Sequence, residues 1–439
     1  MGQNLKARLQ LIRKAGKSVP RDTPEKQAPP PENNSEPSWP GWTEAGYMTL
    51  KRKLTRELPF PVPVEFPAAL TILVPDIARM GRLPIPAELL FFDLETTGLS
   101  GGAGTLAFLA AFGRFLPPGE STGGATGGAN AQIEITQYLL LDYPGEGDFI
   151  EMAVKEFTLS HSTPLVVSYN GKSFDSQILK NRCLMNGIMP PDYYHADLLH
   201  PARRLWKRLL PDCSQATIEV SVLGLDRTGD VPGALAPEIW FSFLRDGGNR
   251  HSSNSELLGI CDHNVRDIAG LASLFLSVAE IAAEPFESQK KYRFDEEALA
   301  LAWRAAMRKN AFPGGDGELY RNLAEAGERL LESAAKNGGQ RAAFVLASDY
   351  FKNGRSGEGR ALMEKITEDT SSPLGLRIAA FRALAIDAEW RLRDIPLALR
   401  FTGNALALPE ISVSHKAEFE KRRERLEGKI IEKELTQRR

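Results

Sequence analysis

Cysteine is scarce in this sequence: three in 439 residues, Cys183, Cys213 and Cys261, scattered and odd in number. Such a set excludes a disulfide framework and any Cys-x-x-Cys metal knuckle, and it fits reduced thiols. Charge of one sign is also lacking. Fifty-four Lys and Arg against 56 Asp and Glu leave a net charge of −2, which excludes a globally basic coat protein for nucleic acid but not a local basic groove. Long apolar runs are missing as well. Leu106–Phe112 is among the longest, far short of the roughly 18 residues of a membrane span. The opening residues lack the apolar stretch of a secretory signal. These absences describe a soluble, cytoplasmic protein with no membrane contact.

What is present begins with 42% hydrophobic residues, ample for packed cores over a length that suits two or three domains. Residues 1–46 read as a disordered tail. Lys6, Arg8, Arg13, Lys14, Lys17 and Arg21 come first, with no acid among them. A Pro-, Glu-, Asn- and Ser-rich stretch follows, which buries too little apolar surface to offset its ordering entropy. Residues 47–85 read as a linker and lead-in, 86–283 as an α/β domain and 284–439 as an all-helical domain.

Within the α/β part, Leu89-Leu90-Phe91-Phe92 predicts a buried strand ending at Asp93. Further strands are expected over 105–115, 132–141 and 164–169, with helices over 148–159 and 173–186. Gly119 to Asn130 reads as an exposed loop. This order describes a mixed sheet covered by helices. After about Ala283 strand patterns vanish, and helices are expected over 295–310, 318–336, 340–352, 358–368, 374–393, 395–408 and 413–436. Leu346-Ala347-x-x-Tyr350 and Leu384-Ala385-x-x-Ala388 lie 38 residues apart and resemble the helical hairpins of tetratricopeptide repeats.

Three short segments carry the chemistry. The first is Asp93-Leu94-Glu95-Thr96-Thr97-Gly98. Acids two apart on a strand project to the same side, and the Thr-Thr-Gly turn lets backbone approach a ligand. Two carboxylates with no basic neighbour repel unless a hard divalent cation sits between them. The second is Val167-Ser168-Tyr169-Asn170-Gly171-Lys172-Ser173-Phe174-Asp175, where a strand runs into a turn and a helix opens at Asp175. That acid either complements the helix dipole or faces the same cations, with Asn170 and the turn backbone near substrate. The third is Asp262-His263-Asn264-Val265-Arg266-Asp267, ahead of an apolar helical stripe. His263 and Asp267, four apart, share a helix face. Such a pair suits an acid that binds metal and a base that takes a proton from water.

In this order the acids resemble those of the DEDD exonucleases of the ribonuclease-H-like superfamily, and within that group the YprB-type ribonuclease-H-like domain. Further matching segments are Leu99-Ser100-Gly101-Gly102, His195-Ala196-Asp197-Leu198-Leu199-His200, Arg203-Arg204-Leu205-Trp206 and Gly229-Asp230-Val231-Pro232-Gly233. The resemblance covers about residues 89–278. It implies a metal-dependent 3′-5′ exonuclease that hydrolyses phosphodiesters of single-stranded DNA or RNA. Asp93, Glu95, Asp175 and Asp267 would hold two Mg²⁺ or Mn²⁺ ions, and His263 would be the general base. The family places a His five residues, or a Tyr four residues, before its last Asp; here a His stands at four.

Thr96, Thr97, Asn170 and Lys172 are expected to meet nucleic acid. Arg203, Arg204 and Trp206 form a candidate rail, the cations on phosphates and the indole on a base. The competing readings are a nucleic-acid-binding module with little catalysis, whose helical half docks a protein partner, and a purely structural helical adaptor, which leaves the acids unexplained.

Overall fold

Seven strands form one mixed sheet in the order β1-β2-β5-β4-β3-β6-β7 in the computed structural model, which describes residues 39–98, 104–117, 130–158, 162–247, 255–308 and 317–437. The expected tail up to residue 38, the motif residues Leu99 to Gly102 and nearly all of the glycine-rich stretch 119–130 lie outside the described residues. The strands are β1 (Trp42–Gly46), β2 (Thr49–Glu57), β3 (Leu89–Thr96), β4 (Ala107–Phe115), β5 (Gln132–Leu140), β6 (Leu165–Ser168) and β7 (Tyr194–Asp197). β3 pairs antiparallel with β4 and parallel with β6.

β3 is apolar on both faces up to Phe92 because helices cover the sheet on both sides. Leu90 and Phe92 point into a core shared with α1 (Glu146–Glu156) and α2 (Asp175–Met185). Leu89 and Phe91 point the other way, into a core shared with the 29-residue helix α5 (Ser255–Ala283). The helices α3 (Leu199–Trp206) and α4 (Ala236–Arg245) fall between α2 and α5 in the chain. After a single helical turn at Pro285–Ser288, seven longer helices follow among the described residues: α6 (Glu296–Arg308), α7 (Glu318–Lys336), α8 (Gln340–Lys352), α9 (Ser356–Glu368), α10 (Leu374–Trp390), α11 (Ile395–Leu406) and α12 (Val413–Gln437). Each packs against the next.

Two features differ from the sequence expectation. The stretch expected as tail and linker supplies β1 and β2. β2 pairs with β5 along its whole length, from Thr49 opposite Leu140 to Glu57 opposite Gln132, and so satisfies the backbone of what would be a bare sheet edge. The helical region also shares a core with the α/β part. Leu299, Trp303, Leu330 and Tyr350 belong to the same apolar cluster as Phe91, Ile268 and Trp206.

Candidate metal centre

The C-terminal end of β3 places Asp93 and Glu95 on the face that α5 covers. Opposite them on β4 stand Ala111 and Leu109, which offer neither acid a polar partner. From α5, Asn264 donates an amide hydrogen to Asp93 Oδ2 at 2.7 Å. The buried Gln137 of β5 orients that amide by donating to Asn264 Oδ1 at 2.9 Å. Arg52 of β2 in turn donates to Gln137 Oε1, with Nη2 at 2.7 Å.

Asp175 is the first residue of α2 and is buried. The turn before it is tightly held. Asn170 has a φ of 62°, and its N–H donates to Asp197 Oδ1 at 2.8 Å, while Lys172 N–H donates to Asp197 Oδ2 at 3.2 Å. Gly171 admits no side chain, since a Cβ there would lie 2.4 Å from Ser168 Oγ and 3.0 Å from Asp175 Oδ2. Asp197, from the matching segment His195–His200, ties this turn. His195 backs it through Ser168 Oγ at 2.8 Å. Burial, with help from the Lys172 charge, pushes its imidazole down to about 4 and keeps it neutral.

The three acids face one another with little compensation. Burial first, then Asp175, Asp267 and Glu95, holds the Asp93 carboxyl well above its usual range against the Asn264 hydrogen bond. Burial and the charges of Asp267, Asp175 and Asp230 do the same to Glu95. Burial outweighs the hydrogen bonding of Asp175 at its helix start and, with Asp197, pushes it up to about 7. No Lys or Arg among the described residues offsets these three.

Asp267 differs. Its Oδ1 accepts a hydrogen bond from Arg227, and its Oδ2 lies 3.2 Å from His263 Nε2. Arg227 is held further by Glu219 Oε2 at 2.5 Å and Asp230 Oδ2 at 3.0 Å. Asp230 Oδ2 also lies 2.9 Å from His263 Nδ1. Arg227, Glu219 and Gln137 were not singled out in the sequence, and no spacing marks them. Asp230 stood in a matching segment without a role.

The residues expected to meet nucleic acid separate. Asn170 and Arg203 are exposed. Lys172 Nζ is 2.6 Å from Asp76. The Thr96 hydroxyl donates to Gly98 O at 3.1 Å, and the Thr97 hydroxyl accepts from Leu106 N–H at 3.0 Å, so both brace the turn after β3. The rail is corrected. Trp206 is fully buried in the main core, its indole N–H donating to Arg293 O at 3.0 Å, so no ring face is left for a base. Arg204 is half-buried and donates to Ile72 O at 2.9 Å.

The donor set fits a hard divalent cation such as Mg²⁺ or Mn²⁺. Uncompensated carboxylates favour such an ion, and Glu95, His263 and Asp267 each offer a ligand atom within 4.8 Å of the others. Among the described residues no helix is long and apolar enough to cross a membrane. The family model RNase_H_2, of the RNase_H superfamily, matches residues 90–278, the segment that holds all four acids. The chain is 32% identical over 326 residues to the uncharacterized protein YprB of Bacillus subtilis (strain 168), across 73% of this chain and 69% of that protein. That alignment is longer than the superfamily segment. The chain therefore belongs to the ribonuclease H superfamily and to the same family as YprB, a membership that suggests nuclease-like activity.

Proposed function

We propose that this protein is a metal-dependent 3′-5′ exonuclease acting on single-stranded DNA or RNA. One observation carries the reading: Asp93, Glu95 and Asp175 converge from two elements, half-buried or buried, with no Lys or Arg among the described residues to offset them. Such an arrangement is costly in isolation and favourable around divalent ions. Asp93, Glu95, Asp175 and Asp267 would hold two Mg²⁺ or Mn²⁺ ions, which when bound supply Lewis-acid stabilisation of the charge that develops on a phosphodiester.

The chain's own groups do the rest. Asn264 and Gln137 fix the direction of the Asp93 carboxylate, and the Asp197-tied turn fixes Asp175. His263 takes the proton of the attacking water at Nε2. The 3′-5′ direction rests on the resemblance to DEDD exonucleases.

The test uses purified protein, Mn²⁺ and oligonucleotides labelled at either end. A 5′ label should give a descending ladder, and a 3′ label should leave at once as a mononucleotide. Asp93→Ala combined with Glu95→Ala should be inert. Absence of cleavage with every divalent ion tried, across single-stranded DNA and RNA, rejects the proposal.

A further inference from the structure

Asp230 plays no part in the reading above, yet it is the hub of the charged groups behind the site. It stands in the loop 224–235, where Gly229-Asp230-Val231-Pro232-Gly233 runs over α5. Its Oδ2 faces His263 Nδ1 at 2.9 Å and Arg227 Nη1 at 3.0 Å, and its Oδ1 faces Arg266 Nη1 at 3.0 Å. Burial pushes this carboxyl up, but His263 and the two guanidinium groups outweigh burial and hold it below the usual range. Asp230 is thus an ionised acceptor with no hydrogen of its own to give.

His263 Nδ1 is sealed from solvent. A buried ring nitrogen needs a partner; Nδ1 makes no hydrogen bond of regular geometry among the described residues, and Asp230 Oδ2 lies 2.9 Å from it. The ring has little room to turn, because bare backbone packs on it: a Cβ on Gly233 would lie 2.9 Å from Nε2. If Nδ1 carried its lone pair toward Asp230, two acceptors would face each other and repel. Nε2 faces a carboxylate as well, so repulsion alone does not choose between the two nitrogens. A cation held by Glu95 and Asp267 would take up the Asp267 charge, while Nδ1 stays buried against Asp230, and the hydrogen then belongs on Nδ1. Nε2 then carries the lone pair, directed toward Asp267 Oδ2 at 3.2 Å, within the Glu95, His263 and Asp267 cluster.

We propose that Asp230 is the positioning residue of His263, holding the imidazole with its hydrogen on Nδ1 so that the Nε2 lone pair faces the carboxylates of Glu95 and Asp267. This rests on the metal-dependent reading given above and adds a part to it. In proton transfer an O–H bond of the attacking water breaks, its hydrogen goes to Nε2, and the resulting imidazolium is stabilised through Nδ1–H by Asp230. A histidine that faces a metal site commonly gives its other N–H to a carboxylate in this way.

The experiment reads the ring ¹⁵N shifts of His263 in the full-length, ¹⁵N-histidine-labelled protein with Mg²⁺, assigned by loss of the signal in His263→Gln. Wild type should show the Nδ1–H tautomer. In Asp230→Asn the amide N–H can face Nδ1 as a donor, so the hydrogen should move to Nε2. Mn²⁺ affinity and kcat should fall about 10- to 100-fold, with KM for the oligonucleotide unchanged, and Asp230→Glu should recover part of the loss. An Nε2–H tautomer in wild type overturns the inference. So does an Asp230→Asn protein that melts earlier but keeps the wild-type tautomer and Mn²⁺ affinity, since that is the mark of a merely structural loop contact. The shifts and the Mn²⁺ titration need no turnover. An inert wild type with the Nδ1–H tautomer and the Asp230→Asn shift would therefore sink the nuclease reading while supporting the role of Asp230.

Discussion

Asp93, Glu95 and Asp175 face one another at a cost that a bound cation would relieve, and this predicts a stability signature independent of turnover. A carboxyl whose pKa is higher folded than unfolded binds more protons in the folded state. Stability then falls as pH rises from the unfolded value, about 4 for a free carboxyl, through the folded value, about 7 at Asp175. Metal binding needs the deprotonated acids, so its stabilisation grows over the same interval. With EDTA, calorimetry should give a lower Tm at about pH 8 than at about pH 5, and Mg²⁺ should recover the loss at the higher pH. Asp175→Asn should flatten the slope. An EDTA-treated protein equally stable at both values would show that these acids are not strained together in the folded chain.

At the level of elements, the strands legible in the sequence are those with an apolar run. Leu89–Phe92, the 107–115 stretch and the 132–140 stretch are buried nearly throughout, and residues of that kind announce a central strand. The acids drew notice for a related reason, Asp93 and Glu95 at a strand end, Asp175 at a helix start and Asp267 on a helical face, while their grouping as one set came from the resemblance to DEDD exonucleases. β2 escaped because its sequence, Thr-Leu-Lys-Arg-Lys-Leu-Thr-Arg-Glu, is mostly polar and covers a sheet edge. β1 has five residues and β7 four, too few for a period to show. Trp206 misled because a tryptophan amid cations looks the same in sequence whether its ring faces solvent or the core.

The β1–β2 hairpin is nonetheless joined to the site, through Arg52, Gln137 and Asn264 to Asp93. Trp42 anchors it, only 1% exposed, with the Arg52 guanidinium 5.0 Å above its ring. Trp42→Ala should cost about 3–5 kcal/mol, read as a shift of the urea midpoint at unchanged slope. An unchanged midpoint would mean that the hairpin folds apart from the sheet.

For the whole molecule the consequence is that a cut at residue 283 does not fall at a break in packing. The described chain from Trp39 onward is one compact unit. The apolar cluster behind the sheet runs without interruption from Phe91 and Ile268 into Leu299, Trp303 and Leu330. Polar ties cross the same line: Trp206 donates to Arg293 O, and Arg208 Nη2 pairs with Asp295 Oδ1 at 2.6 Å. A third apolar cluster, built from Met363, Phe381, Leu384, Phe401 and Leu426 among others, lies within α8 to α12. Two truncations therefore have different fates. Ending after Ala283 strips one wall from the main core and uncovers large apolar surface, so that protein should aggregate or expose apolar surface to a hydrophobic dye. Ending after Lys352 keeps Leu299, Trp303, Leu330 and Tyr350, and uncovers a smaller patch around Ala343, Ala347 and Phe351. That version should stay soluble and keep the Mn²⁺ affinity of the full chain, measured by titration with size-exclusion chromatography as the check on its state. If the shorter version is the well-behaved one and binds Mn²⁺ as the full chain does, the shared core contributes little to folding, and the α/β part stands by itself.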